Sequence, residues 1–155
     1  MPKSLLRAKG AVSTLRDLSE GGFQRIIGDP HLEAAKARRV LVCSGKVYYD
    51  LLAHREAKKI VDVAILRLEQ LYPLQAADLS RALSPYRPGT EVIWVQEEPL
   101  NMGAWYSLNT RWPREARERN AVGCVARPES ASPATGSAAS HKFEQQLLVE
   151  QAFAK

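Results

Sequence analysis

The sequence predicts an α/β fold, a mostly parallel sheet with helices on both of its faces. Three observations predict it. Short continuous apolar runs occur four times, RVLVCSG at 39–45, VDVAILRLEQ at 61–70, EVIWVQEE at 91–98 and NAVGCVAR at 120–127. They have the length of strands and lack the alternation of a sheet exposed on one side, so they read as strands covered on both faces. Segments of helical apolar period lie between them, and strand–helix alternation of this kind builds parallel sheets through right-handed crossovers.

The elements follow in order. Residues 1–22 carry Lys3, Arg7, Lys9 and Arg16 and end in the Gly21-Gly22 break, which reads as an arm that lies on something rather than a core element. Residues 23–155 form the single domain. FQRIIGD at 23–29 reads as a short strand and DPHLEAAKA as a loop or a turn of helix. KVYYDLLAHREAKK carries Val47, Tyr48, Leu51 and Leu52, with Lys58 and Lys59 placed to complement the negative end of a helix dipole. Pro73 opens a helix through LQAADLSRAL, with Leu74, Leu79, Ala82 and Leu83 on one face, and SPYRPG stops it. NMGAWYSLNTRW at 101–112 predicts another helix. PESASPATGSAAS at 128–140 reads as a surface strap, leading to a helix capped by Ser140 that docks through Phe143, Leu147, Leu148 and Phe153.

Composition narrows the class. A chain of 155 residues with 45% hydrophobic and 25% charged residues fits one folded domain and excludes a disordered one. The net charge of +5 is spread along the chain, and in its densest run, RWPREARER, Glu115 and Glu118 interrupt the arginines. A nucleic-acid-binding face needs basic residues gathered together, so that partner is not expected. Cys43 and Cys124 sit in strands expected to be buried and read as reduced core thiols. No stretch has the apolar length of a membrane span, and MPKSLLRAKG lacks the apolar core of a secretory signal. A soluble, non-exported protein is expected.

In a parallel sheet, ligands and partners meet the carboxyl ends of the strands. Three strand ends carry conspicuous chemistry: Ser44-Gly45-Lys46, Glu69-Gln70 and Gln96-Glu97-Glu98. The first could bind an anion at a helix N-terminus, or the glycine could simply permit a tight turn. Glu97 and Glu98 are neighbours on an extended segment and point to opposite faces, so they do not form a facing carboxylate pair. His31, His54 and His141 show no ligand spacing, so no metal site is expected. No G-x-S-x-G frames a nucleophile, and no catalytic residue is assigned. The polar and aromatic group Gln70, Tyr72, Glu97, Glu98, Asn101 and Trp105 suits a contact surface better than a reaction centre.

Several collinear strings, MPKSLLR, SGKVYYDL, LEQLYPL, WVQEEPLNMGAW and ARPESASPATG followed by a helix near SHKFEQ, closely resemble the C-terminal region of the 2-oxoglutarate dehydrogenase decarboxylating component. The resemblance implies a transketolase C-terminal-like domain, three layers around a five-stranded sheet. It implies a parent enzyme that is a homodimer, uses thiamine diphosphate and magnesium, and passes a succinyl group to the lipoyl arm of the dihydrolipoyl succinyltransferase component. Its location would be the bacterial cytoplasm or the mitochondrial matrix.

In that family the cofactor is held by domains preceding this one. The sequence has no Gly-Asp-Gly cradle, and its only Gly-Asp, Gly28-Asp29, runs into Pro30. The chain alone is therefore expected to bind no cofactor and to be inactive. The resemblance places Gln70, Gln96, Glu97, Glu98, Asn101 and Trp105 at contacts between domains or subunits. An arm that begins in mid-motif is expected of a fragment.

Met102 stands where the family commonly has glutamine, a replacement shared with 2-oxoadipate dehydrogenase-type enzymes, which are the alternative parent. Some relatives bind acetyl-CoA as a regulator. Arg7 and Gln70 match part of that site, while Ala76 and Ala77 fall where basic residues are expected. The alternative reading is a stand-alone regulatory module binding acetyl-CoA or an adenine nucleotide through Arg7, Ser44, Lys46 and Gln70.

Overall fold

The strands β1 (Ile26–Ile27), β2 (Arg39–Cys43), β3 (Val63–Leu68), β4 (Glu91–Pro99) and β5 (Val122–Arg127) form one sheet in the order β1-β3-β2-β4-β5. The pairings of β2 with β3, β2 with β4 and β4 with β5 are parallel, and only β1 runs antiparallel, on β3. The structure is a computed structural model and describes residues 3–8 and 10–154. Met1, Pro2 and Lys9 of the arm lie outside the described residues.

Helices cover both faces, giving the three-layer α/β architecture expected. On one face α2 (Val47–Ala57) and α6 (Ala138–Phe153) close a core of Leu41, Cys43, Val47, Leu51, Ile65, Val95, Leu148 and Phe153. On the other, α3 (Ala76–Leu83), α4 (Trp105–Arg111) and α5 (Arg114–Arg119) pack Leu79, Leu83, Leu108 and Ala116 against Val40, Val42, Leu66 and Trp94. All five residues of β2 are buried, as its continuous apolar run requires of a central strand with helices on both sides. A buried leucine or valine of this kind contributes about 1.5–3 kcal/mol relative to exposure. Among the described residues no helix is long and apolar enough to cross a membrane.

Several local expectations are corrected. The helix after Pro73 starts three residues later, at Ala76, because Gln75 is extended (φ −86°, ψ 111°) and serves as N-cap; the Gln70 Nε2 amide donates to the Pro73 carbonyl at 2.9 Å and holds that segment as a turn. Asn101 to Gly103 form a turn, and α4 begins only at Trp105. The run RWPREARER contains α5, which no apolar period announced. The cap of α6 is Ser137, whose side chain accepts from the Ser140 backbone N–H.

Phe143 and Leu147 do not dock. They are 68% and 43% exposed, while Leu148, Val149, Ala152 and Phe153 are buried, so only the last turns of α6 cover the sheet. Two arginines hold those turns down, Arg39 donating to the Ala152 carbonyl at 2.9 Å and Arg38 to the Phe153 carbonyl at 3.1 Å. They satisfy carbonyls that a helix C-terminus leaves without partners. Cys124 is only half-buried, since β5 is the edge strand of the sheet.

The arm holds a 3-10 helix, Lys3–Arg7, and a short helix α1, Leu15–Ser19. A capping box starts α1: Thr14 Oγ1 accepts the Asp17 N–H at 3.1 Å, and Asp17 accepts the Thr14 N–H at 2.9 Å. None of its residues is buried.

Candidate functional site

The three conspicuous strand ends do converge. In the sheet register Cys43 lies beside both Arg67 and Val95, so Ser44-Gly45-Lys46, Glu69-Gln70 and Gln96-Glu97-Glu98 leave the same edge of the sheet. A cleft of ≈ 570 Å³ opens there, lined by Ser44, Gly45, Lys46, Leu71, Gln96, Glu97, Glu98 and Gly103.

Gln96 organises this rim, a role its sequence context did not reveal. It was expected at a contact surface, but it is 3% exposed. Its amide Oε1 accepts from Trp94 Nε1 at 2.9 Å and from the Trp105 backbone N–H at 3.0 Å. Its Nε2 donates to the carbonyls of Met102 at 2.8 Å and Pro99 at 3.1 Å. One buried amide thus joins β4, the turn at 100–104 and the first turn of α4. Buried polar groups must be bonded in this way, because an unpaired one costs about 1–3 kcal/mol. Gly103 completes the fit, since its φ of +69° favours glycine and an added Cβ would lie 2.9 Å from the Gln96 amide.

Around this hub the other candidates take distinct places. Lys46 Nζ bonds Asp50 at 2.7 Å and Glu97 at 3.0 Å. Burial pulls its pKa down, but the two carboxylates outweigh it and the net shift is upward. An anion arriving at Ser44-Gly45-Lys46 would meet a lysine already engaged and two carboxylates beside it, which is poor ground for a phosphate. Arg7 lies exposed at the end of the arm's 3-10 helix.

Asn101 faces the strap: its Nδ2 donates to the Ser130 carbonyl at 2.9 Å and its Oδ1 accepts the Ser130 N–H at 3.1 Å. Trp105 is half-buried against the core, and Glu98 is exposed. Glu97 and Glu98 stand on successive residues of β4, one turned to Lys46 and the other to solvent.

The rim is tied to the far helix by a relay that the sequence reading missed. Gln145 of α6 donates to Asp50 at 2.9 Å and accepts from Arg127 at 2.9 Å. Partners 95 residues apart leave no local signal in a sequence.

The chemistry of this arrangement is that of a fixed surface. Among the described residues no group of three His, Cys, Asp or Glu is placed to hold a metal ion. The one Gly-Asp pair of the sequence offers no open carboxylate to a magnesium-bound diphosphate either. Asp29, the acid of the only Gly-Asp pair, has a side chain 1% exposed that is paired with Arg55 and accepts the Ile65 N–H at 2.8 Å. Its oxygens are consumed by the fold.

The family model described as 2-oxoglutarate dehydrogenase C-terminal matches residues 12–153. The chain belongs to the 2-oxoglutarate dehydrogenase C-terminal family. Within this family it is similar to the 2-oxoglutarate dehydrogenase E1 component of Haemophilus influenzae, 48% identical over 97% of this chain. The protein of the same name from Cupriavidus necator is 46% identical over 99% of it. A "Multifunctional 2-oxoglutarate metabolism enzyme" of Mycolicibacterium vanbaalenii is 40% identical over 98%. The chain spans only 16%, 16% and 13% of the length of these three relatives.

Proposed function

We propose that the chain serves as the C-terminal domain of a thiamine-diphosphate-dependent 2-oxoglutarate dehydrogenase first component, shaping contacts between domains and subunits rather than carrying out chemistry. The observation that carries this reading is the asymmetry of the matches. Relatives named for 2-oxoglutarate dehydrogenase cover 97–99% of this chain, while it covers 16% of them, so five-sixths of such a protein lies elsewhere. Asp29, the one acid in a Gly-Asp pair, is locked to Arg55, which supports assigning thiamine diphosphate and magnesium to the preceding domains. The rim favours the same division: Gln96, Asn101, Lys46 and Glu97 are bonded within the chain and hold a shaped face, from which Glu98 and the edge of Trp105 reach outward. A homodimeric parent and succinyl transfer to the lipoyl arm of a dihydrolipoyl succinyltransferase complete the proposal.

The test is a chimera in which these residues replace the matching 16% of the Haemophilus influenzae relative. Turnover of 2-oxoglutarate by the chimera, with none by the isolated chain given thiamine diphosphate and magnesium, is the expected result. Decarboxylation by the isolated chain would overturn the division of labour.

A further inference from the structure

The apolar side chains of the arm do not fit a surface in contact with water. The helix α1 is pre-formed, with a capping box at Thr14 and Asp17, and its charged residues are paired within it, Arg16 to Glu20 at 3.0 Å. Yet Leu15 and Leu18, three apart and so on one face, are 85% and 76% exposed, and Val12 and Phe23 at either end are 76% and 74% exposed. Isolated exposed leucines are ordinary, but four large apolar side chains left to solvent between residues 12 and 23 are the kind of surface that marks an interaction site. The segment is also part of the family module, whose match begins at residue 12, although it gives no side chain to the core of the domain.

We infer that Val12, Leu15, Leu18 and Phe23 form a docking face for the domain that precedes this one in the parent polypeptide. The inference rests on the reading under Proposed function and deepens it by naming the contact. The relatives carry more than 80% of their length outside the matched region, which supplies a covalently attached partner at high effective concentration. The occupant is apolar and uncharged where it meets the arm, because the polar side chains of α1 are satisfied by each other.

Hydrogen exchange tests this in the isolated chain and in the Haemophilus influenzae chimera. Amides of residues 11–23 should exchange freely in the isolated chain and at least about tenfold more slowly in the chimera, as a covered segment does. Leu15→Asp with Leu18→Asp should abolish that slowing and lower chimera turnover, yet leave the Tm of the isolated chain unchanged, since neither leucine is buried in it. An inactive wild-type chimera would sink the functional reading. An active chimera whose arm exchanges as fast as in the isolated chain would overturn the docking inference alone. Self-association of the isolated chain, lost in the double variant, would overturn it in favour of a second copy, whose apolar groove between β5 and α6, lined by Leu100, Phe143 and Leu147, would then receive the arm.

Discussion

The side-chain oxygen of Gln96 accepts the backbone N–H of Trp105 at 3.0 Å, so the end of a buried strand holds the start of the next helix. The same amide binds the Met102 carbonyl at 2.8 Å. The turn between β4 and α4 therefore closes around one side chain, and Glu98, whose carbonyl also lies 3.4 Å from the Gln96 amide, faces outward beside it.

Gln96→Ala should destabilise the chain by about 2–4 kcal/mol, because it leaves buried groups of Trp94, Trp105 and Met102 without partners. Gly103→Ala should cost about 1–3 kcal/mol through its left-handed backbone and the close approach of the Gln96 amide. Combining the two should be less costly than their sum, since removing the amide clears the space the new methyl needs. Urea unfolding of the four proteins measures this cycle, and strict additivity would count against the hub.

Asp29 and Arg55 form a buried pair, with side chains 1% and 8% exposed. Asp29→Ala leaves a guanidinium buried without its partner and the Ile65 N–H unbonded, so a loss of about 3–5 kcal/mol is expected. Asp29→Ala with Arg55→Met should recover part of it, because the stranded charge is gone. Equal midpoints for wild type and Asp29→Ala in urea would show the pair to be dispensable.

The sheet was legible because its central strands are covered on both faces, and a run such as RVLVC has no polar position to disguise it. The strand ends were legible for the same reason: once the strands are parallel, Ser44, Glu69 and Gln96 must share an edge. What escaped was set by side-chain bonds that leave no pattern in a sequence. Gln96 and Gln145 each look like an ordinary polar residue beside apolar ones, yet Gln96 ties together Trp94, Pro99, Met102 and Trp105 within nine residues of itself, and Gln145 reaches Arg127 and, 95 positions away, Asp50. The stripe on α6 misled because Phe143 and Leu147 keep helical spacing with each other, yet they stay exposed, and the apolar side chains that α6 buries lie from Leu148 to Phe153, in the turns that Arg38 and Arg39 hold down. Ser137 and Ser140 are both competent caps, and nothing in a strap of small residues distinguishes them.

Both thiols should be inert in the folded chain. Burial pushes Cys43 up to about 12, against the opposing pull of Arg67, and burial pushes Cys124 up to about 12 as well. The thiolate is the reactive form, so at pH 8 both thiols are far less ionised than a free cysteine, about a quarter of which is thiolate there. A chromogenic disulfide reagent at pH 8 should therefore report both cysteines only as urea unfolds the chain. Rapid reaction of the native protein at Cys43 would contradict its burial, and at Cys124, half-buried on the edge strand, it would contradict the raised pKa.

His54 supplies the pH dependence. Its ring lies against Phe153, with centroids 5.0 Å apart, and burial, reinforced by the charge of Lys58, lowers its pKa below the ordinary 6.5. Below 6.5 the unfolded chain takes up the proton before the folded one does, so in that window the unfolded state holds more protons and stability falls with falling pH. Well above 6.5 both states are neutral and the group contributes no slope. An NMR titration should place the His54 midpoint under 6.5, and His54→Phe should flatten the part of the stability curve just below that pH. A midpoint at or above 6.5 would mean that α2 and the end of α6 do not close over the ring as the structure has them.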